Sequence, residues 1–176
     1  MQMVGSIDSG DIGWLTPQGD LVLTGRAKDT IVLSNGENIE PQPLEDACAR
    51  SAYIDQIMLV GQDQKSLGAL IVPNLEALDK WAAESNSGLK IPSAETPLET
   101  LHQTDLYSKA VLKLFKTEIT REVKNRPGYR ADDRITNFAL ILEPFSMENG
   151  LMTQTLKVKR PIVTQKYQAL IDELYA

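Results

Sequence analysis

Two short apolar runs in the first half of the chain constrain its fold more than any other feature. Residues 57–60 and 69–72 contain only apolar side chains, and Gly61, Gly68 and Pro73 bound the runs. A strand with one solvated face alternates apolar and polar residues, whereas a continuous apolar run of strand length needs cover on both faces. The two runs therefore predict central strands of a sheet that has helices packed on both sides.

Turn signals predict two hairpins before the first run. Residues 17–20, Pro-Gln-Gly-Asp, separate two strand-like segments, and Asn35-Gly36 separates residues 30–33 from residues 38–39. Asn-Gly favours a tight two-residue turn, because both central residues tolerate positive φ. We expect one hairpin over residues 12–24 and a second over residues 30–39.

Pro41 or Pro43 predicts the start of a helix. Leu44, Ala47 and Cys48 would form its buried side, and Glu45 and Asp46 would lie in its first turn, where negative charge opposes the helix dipole. Cys48 is the only cysteine and cannot form an internal disulfide. We expect it to be a small buried apolar residue in a reducing compartment.

Apolar spacing predicts three more helices and one more strand. We expect helices over residues 75–83 and 105–124 and a closing helix from Pro161, a strand over residues 138–142, and a polar loop over residues 84–104. The buried side of the 105–124 helix would carry Tyr107, Val111 and Leu114. Together the elements predict an α+β fold, a small three-layer domain with a central sheet flanked by helices.

Composition argues against several classes of function. The 176 residues carry 18 Lys and Arg against 24 Asp and Glu, a net charge of -6, which disfavours a nucleic-acid partner. No apolar run reaches the roughly 18 residues of a membrane span, and the first residues lack a signal-peptide pattern. We therefore expect a cytoplasmic protein. His102 is the only histidine, so we expect no histidine triad and no dedicated metal site.

Three ordered motifs carry the strongest functional signal. They are Ser-Gly-Asp at residues 9–11, Thr-Gly-Arg-Ala-Lys-Asp-Thr-Ile-Val-Leu-Ser-Asn-Gly-Glu-Asn-Ile-Glu-Pro at residues 24–41, and Leu-Met-Thr-Gln-Thr-Leu-Lys-Val-Lys-Arg at residues 151–160. With them the chain resembles the C-terminal domain of the acyl-adenylate-forming, or AMP-binding, ligases. The likeness is strongest to long-chain fatty acid-CoA ligases and to cyanobacterial and plastid acyl-acyl carrier protein synthetases.

The resemblance implies a division of the chain into two parts. Residues 1–25 would be the tail of an N-terminal domain that binds ATP and the acid, with the 12–24 hairpin as its remnant, and residues 26–176 would be a mobile C-terminal lid domain. The chain lacks the Ser/Thr/Gly-rich phosphate loop of such ligases and the other glycine-rich phosphate-binding patterns. We expect it to be inactive alone.

The resemblance also implies roles for five residues. Lys157 falls on the catalytic lysine of the pattern T-x-S-G-K, written T-P-T-L-K-x-K-R in fatty-acid enzymes, and a long-stemmed ammonium can touch carboxylate and phosphate together. Asp11 and Arg26 match residues that bind the ATP ribose, whose two hydroxyls suit a carboxylate. Lys28 occupies the hinge position, and Gly36 lies in a turn that would help build the pantetheine tunnel.

These roles belong to a two-step cycle. In one orientation Lys157 faces the ATP site and acyl-AMP forms. After rotation at Lys28, the Gly36 turn comes in, and the thiol of CoA or of the phosphopantetheine arm of acyl carrier protein attacks the acyl-adenylate. The implied ligands are a fatty acid, the acceptor thiol, and ATP with Mg²⁺ bound mainly by the missing N-terminal domain. Peripheral membrane association of the full enzyme is compatible with this cycle.

Two other functions stay compatible with the residues. One is a module of the same fold that docks a carrier protein without chemistry, and the other is an adenylating enzyme for another carboxylic acid, such as an amino or aryl acid. Lys109, Lys113, Lys116 and Lys124 fall on one side of the 105–124 helix. They would meet an acidic carrier protein or form an ordinary solvated face. Lys159 is the alternative cation if the register shifts by two.

Overall fold

A computed structural model describes residues 10–176, apart from the side chains of Thr24 and Gly25. Its strands are β1 (Asp11–Leu15), β2 (Leu21–Arg26), β3 (Ile31–Val32), β4 (Asn38–Ile39), β5 (Ile54–Val60), β6 (Leu67–Pro73) and β7 (Ile135–Leu140). Its α-helices are α1 (Pro41–Cys48), α2 (Leu75–Glu84), α3 (Leu98–Leu101), α4 (Lys109–Lys124), α5 (Arg160–Lys166) and α6 (Gln168–Leu174). Residues 1–9, including Ser9 of the first motif, lie outside the described residues.

The central sheet has the strand order β5-β6-β7. β5 runs antiparallel to β6, and β7 runs parallel to it. Every residue of β6 is buried, which confirms that the two apolar runs form strands covered on both faces. β7 spans Ile135–Leu140 and not the predicted 138–142. Two polar residues follow Ile135 and are held by partners: Thr136 hydrogen-bonds Ser66 at 2.6 Å, and Asn137 donates to the Leu174 carbonyl at 2.8 Å.

Helices cover both faces of this sheet, and the predicted three-layer α+β fold is confirmed. One face of the sheet packs with α1, α2 and α4, through a buried cluster that includes Leu44, Leu59, Ile71, Leu78 and Phe115. The other face packs with α5 and α6, through a cluster that includes Met58, Leu70, Ala139, Val163 and Ile171. Alternate side chains of each strand point to opposite faces, so both clusters draw on the same strands.

The last two long helical segments differ from their predicted bounds. α4 begins at Lys109 because Ser108 is its N-cap, with its hydroxyl accepting from the Val111 N–H at 3.4 Å. Its buried side carries Val111, Phe115, Glu118, Ile119 and Val123. The closing segment is two helices, α5 and α6, which separate at the buried Tyr167. The 84–104 segment, predicted as a polar loop, includes α3 and packs the buried Leu101 into the core.

Both predicted hairpins form. In the second, Leu33 and Glu37 close the turn, with the Leu33 N–H donating to the Glu37 carbonyl at 2.9 Å and the Gly36 N–H donating to the Leu33 carbonyl at 2.8 Å. Gly36 has a φ of +86°, whereas Asn35 is not at positive φ. A turn of this kind ends with one left-handed residue, which glycine adopts at little cost. Only Gly36 of the Asn-Gly pair therefore uses its tolerance of positive φ.

α1 buries Leu44, Ala47 and Cys48, as predicted. Burial, with a smaller contribution from the Glu45 charge, raises the pKa of the Cys48 thiol to about 12. The thiol therefore stays protonated and packs as an apolar group. Within residues 10–176, the helices are too short or too polar to cross a bilayer.

Candidate functional site

One cleft gathers the three residues that the motifs assign to ATP. Asp11, Arg26 and Lys157 all line a cavity of about 490 Å³ between the β1–β2 hairpin, α1 and the turn before α5. Asp11 and Arg26 lie opposite each other in the hairpin register, with Arg26 Nε 3.7 Å from Asp11 Oδ1. The fold thus brings one carboxylate and two cations, from the two ends of the chain, to one concave surface.

A tight turn presents Lys157 to this cleft. The Thr153 N–H donates to the Lys157 carbonyl at 2.8 Å, the Leu156 N–H donates to the Thr153 carbonyl at 3.0 Å, and the Lys157 N–H donates to Thr153 Oγ1 at 3.1 Å. Met152 and Val158 form a bridge just outside the turn. The Lys157 backbone is therefore fixed, while its side chain stays exposed at the cleft.

Arg160 anchors the end of the same segment. Its Nη2 donates to both carboxylate oxygens of Glu45 at 2.5 Å, and its Nη1 donates to the Leu59 carbonyl at 3.1 Å. Its Nε lies 3.9 Å from Asp29 Oδ1. Glu45 Oε1 also accepts from the Leu59 N–H at 2.7 Å. Arg160 thus joins α1, β5 and the turn that follows β2.

Glu45 is the site residue whose position the sequence prediction missed. The helix begins at Pro41, so Glu45 lies in its second turn on the buried side, and not in the first turn. Burial raises the pKa of the Glu45 carboxyl group, and the Arg160 charge and the Leu59 N–H oppose this rise. The sequence did contain a signal for this position, because Glu45 shares the helical spacing of the apolar Leu44 and Cys48. A charged residue on the buried side of a helix requires a partner of opposite charge.

The other two predicted residues lie outside this cleft. Gly36 does not line it, and an added Cβ on Gly36 would meet no atom within 4 Å. The turn at Gly36 rests on the loop after α4, where Asn35 Nδ2 donates to Asp132 Oδ1 at 3.1 Å. Lys28 lies in the 3-10 turn Ala27–Asp29 and lines a second cavity, of about 520 Å³, which Arg160 also lines. In this arrangement Lys157 shares its cleft with Asp11 and Arg26, and the Gly36 turn does not line it.

The four lysines predicted to share one side of α4 are all exposed. They are Lys109, Lys113, Lys116 and Lys124. Across residues 10–176 no ion pair joins any of them to a carboxylate, whereas Arg121 on the same helix binds Glu118 and Glu122. α4 therefore presents a basic side on an acidic chain.

His102, the only histidine, packs against Tyr107 with ring centroids 4.3 Å apart and does not line the Lys157 cleft. In the described part of the chain, no three His, Cys, Asp or Glu side chains are grouped as metal ligands would be. The cleft holds cations and carboxylates together, with Arg26, Lys157 and Arg160 lying among Asp11, Asp29, Glu40, Glu45 and Asp46.

Comparison with known proteins identifies the family. Residues 28–90 match the family model for the AMP-binding enzyme C-terminal domain. The chain contains an AMP-binding enzyme C-terminal domain. Its relatives include proteins named as acyl-carrier-protein and CoA ligases, which match this chain over nearly its whole length.

Two relatives illustrate the match. The chain is 38% identical over 182 residues to the chloroplastic long-chain-fatty-acid-[acyl-carrier-protein] ligase AEE15 of Arabidopsis thaliana, covering 98% of this chain and 22% of that protein. It is 33% identical over 173 residues to long-chain-fatty-acid-CoA ligase 1 of Cavia porcellus, covering 98% of this chain and 23% of that protein. The chain thus spans less than a quarter of the length of these relatives.

A solved structure shows the same fold. The adenylation domain of the carboxylate reductase from Mycobacterium chelonae superposes with a TM-score of 0.74 at 23% identity, covering 95% of this chain and 22% of that protein. At this identity the likeness concerns the fold. It agrees with the central sheet and flanking helices described above.

Proposed function

We propose that the chain is the C-terminal catalytic lid of an ATP-dependent, AMP-forming fatty-acid ligase. The observation that carries this proposal is the shared cleft, where Lys157 lies with Asp11 and Arg26. The two relatives named as ligases of long-chain fatty acids support a fatty acid as the substrate. Asp11 offers paired acceptor oxygens for a vicinal diol, Arg26 lies beside it, and Lys157 is available for the phosphates, so these three residues fit ATP.

The first step joins two anions and therefore needs a cation. The fatty-acid carboxylate attacks the α-phosphate of ATP, acyl-AMP forms and pyrophosphate leaves. Lys157 neutralises the charge that builds up between carboxylate and phosphate, because its ammonium group is compact and its stem is long. Asp11 accepts hydrogen bonds from the ribose hydroxyls, and Arg26 supports the same ribose. Mg²⁺ accompanies ATP and is held mainly by the N-terminal domain.

The second step uses another surface of the same domain. Rotation at Lys28 takes Lys157 away and brings in the Gly36 turn, since small backbone changes at a hinge give large displacements. The thiol of CoA or of acyl carrier protein attacks the acyl carbonyl, a thioester forms and AMP leaves. The open space around Gly36 supports a close approach of the pantetheine arm to the backbone.

We assign residues 1–25 to the N-terminal domain and residues 26–176 to the lid. The β1–β2 hairpin supports this division, because Trp14, Leu15, Leu21 and Leu23 are each more than half exposed, at 54%, 67%, 64% and 61%. Exposed apolar side chains in one small element mark a contact surface. The N-terminal domain of the same enzyme is the partner that would cover them.

The test joins this chain to an ATP-binding region. The chain replaces the stretch that it matches in the Arabidopsis ligase, and acyl-AMP formation from palmitate and ATP is measured. We expect adenylate from this fusion and none from the chain alone. Lys157→Ala should lower the rate by about 100-fold or more, because it removes a charge that stabilises the transition state. Supplying CoA or acyl carrier protein then identifies the acceptor.

Lys159→Ala is the matched control, since it removes the neighbouring lysine of the same segment and should retain most of the activity. Equal rates for the fusion with and without Lys157→Ala would show that the lysine assignment is wrong. A fusion that unfolds cooperatively on heating and yet makes no adenylate would favour the non-catalytic docking module.

A further inference from the structure

We propose that the Glu45–Arg160 ion pair positions Lys157 for adenylate formation, with Arg160 acting as a positioning residue. The effect of this positioning on the rate of adenylate formation rests on the proposed function. Arg160 is the first residue of α5 and follows Lys157 closely in the chain. Its side chain is only 14% exposed and points away from solvent toward Glu45. Arg160 therefore follows the Lys157 turn in the chain and places its side chain in the interior of the domain.

The Lys157 turn has few attachments to the sheet. Its own backbone hydrogen bonds close on themselves, as between Thr153 and Lys157. On its N-terminal side the Met152 N–H donates to the Ser146 carbonyl at 2.9 Å, and the adjacent Phe145 exchanges hydrogen bonds with Gln56 of β5. The apolar contacts of Met152 with the core add packing without a preferred direction. Arg160 supplies the directional bonds on the C-terminal side of the turn.

Those bonds fix the turn against two elements at once. The guanidinium donates to Glu45 of α1 and to the Leu59 carbonyl of β5, and Glu45 accepts from the N–H of the same Leu59. Arginine presents its donors in a rigid planar fork, which sets both distance and orientation. A lysine at this position keeps the charge but has no such fork. The position of Lys157 therefore depends on the geometry of the pair as well as on its charge.

The chain contains a matched pair that does not touch this turn. Glu118 of α4 is as buried as Glu45, each with an 8% exposed side chain, and it accepts from Arg121 at 2.7 Å through both oxygens. Glu118 also accepts from the Ser51 hydroxyl. Glu118→Gln therefore reports what loss of a buried glutamate from its ion pair does to stability alone, with the difference that Arg121 is 51% exposed and Arg160 is 14% exposed.

The first experiment uses the chain as it is and does not depend on activity. Amide hydrogen exchange is followed in the unmodified chain, Glu45→Gln, Arg160→Lys and Glu118→Gln, with the amides of β6 as internal reference. We expect the Thr153, Lys157 and Lys159 amides to exchange about tenfold faster relative to β6 in the first two variants, because the turn opens locally. In Glu118→Gln this ratio should stay unchanged.

The proposal is overturned if the amides of the turn exchange no faster relative to β6 in Glu45→Gln than in the unmodified chain. It is also overturned if Glu118→Gln speeds their exchange as much as Glu45→Gln does. Glu45→Gln keeps the shape of the side chain and an acceptor for the Leu59 N–H. It decides the result by itself if Arg160→Lys fails to fold.

The second experiment places the same variants in the ligase fusion. Glu45→Gln and Arg160→Lys should lower kcat for adenylate formation by about tenfold or more with little change in KM for ATP, the pattern of an interaction lost in the transition state. The rate of thioester formation from supplied acyl-AMP, which does not use Lys157, should change by less than about twofold. Glu118→Gln should leave both unchanged.

A rise in KM alone, or an equal loss of kcat in Glu118→Gln, overturns the kinetic role. An unmutated fusion without activity counts against the proposed function instead, and the exchange result then still decides whether the pair holds the turn.

Discussion

At the scale of single residues, Leu156 has the most demanding backbone of the cleft. It precedes Lys157 and has a φ of +59°, in the left-handed region. This conformation destabilises a residue that has a Cβ by about 1–2 kcal/mol. The Leu156 side chain is 66% exposed, so its burial offsets little of that destabilisation. The T-x-S-G-K form of the motif has glycine here, which indicates that the turn requires this backbone whatever the side chain.

Leu156 therefore provides a direct test of the turn. We expect Leu156→Val to destabilise the chain by about 1–2 kcal/mol, because β-branched residues tolerate positive φ least. Leu156→Gly should leave the stability equal or slightly higher, since glycine adopts this φ without strain. Urea unfolding of both variants measures the difference. A glycine variant less stable than the valine variant would contradict the strain.

At the scale of elements, Tyr175, the residue that follows α6, lies very close to Gly68 of β6. A Cβ on Gly68 would lie 2.6 Å from the Tyr175 hydroxyl. That hydroxyl donates to the Ser66 carbonyl at 3.1 Å and to the Val60 carbonyl at 3.3 Å, and burial raises the pKa of Tyr175 to about 12. The missing side chain at Gly68 is what lets the C-terminal residues close over the strand.

We expect Gly68→Ala to cost about 1 kcal/mol by displacing the Tyr175 hydroxyl from its acceptors. Tyr175→Phe should cost a similar amount through the same hydrogen bonds. The double variant should then lose clearly less than the sum, because both changes remove one interaction. Denaturant unfolding of the four proteins completes the cycle, and full additivity would contradict the shared contact.

The elements also show what the sequence could and could not predict. The apolar runs predicted β5 and β6 because burial on both faces leaves a local pattern. Thr136 and Asn137 near the start of β7 leave no such local pattern, because their hydrogen-bond partners lie far along the chain. Motifs named Asp11, Arg26 and Lys157, but the bond from Arg160 to Glu45 joins positions 115 residues apart. Such a pair is visible only once the fold brings α1 and α5 together.

At the scale of the whole molecule, the exposed hairpin dominates the behaviour expected of the chain alone. Leu15 and Leu21 face each other across β1 and β2 and are largely exposed. We expect the chain to self-associate with rising concentration through this hairpin. Leu15→Ser with Leu21→Ser should abolish the association while changing stability by no more than about 0.5 kcal/mol per site.

Analytical ultracentrifugation with a parallel thermal melt measures both quantities. A serine variant that still associates, or an unmodified chain that stays monomeric at every concentration, would contradict this role of the hairpin.

β5 lies at the edge of the central sheet, and an edge strand can recruit a strand from another chain. The N–H and the carbonyl of Leu59 are both taken, the first by Glu45 and the second by Arg160. A foreign strand would have to break a buried ion pair to add here. The pair therefore also shields this part of the sheet edge, and a variant without the Arg160 guanidinium would leave the Leu59 carbonyl open to a foreign strand.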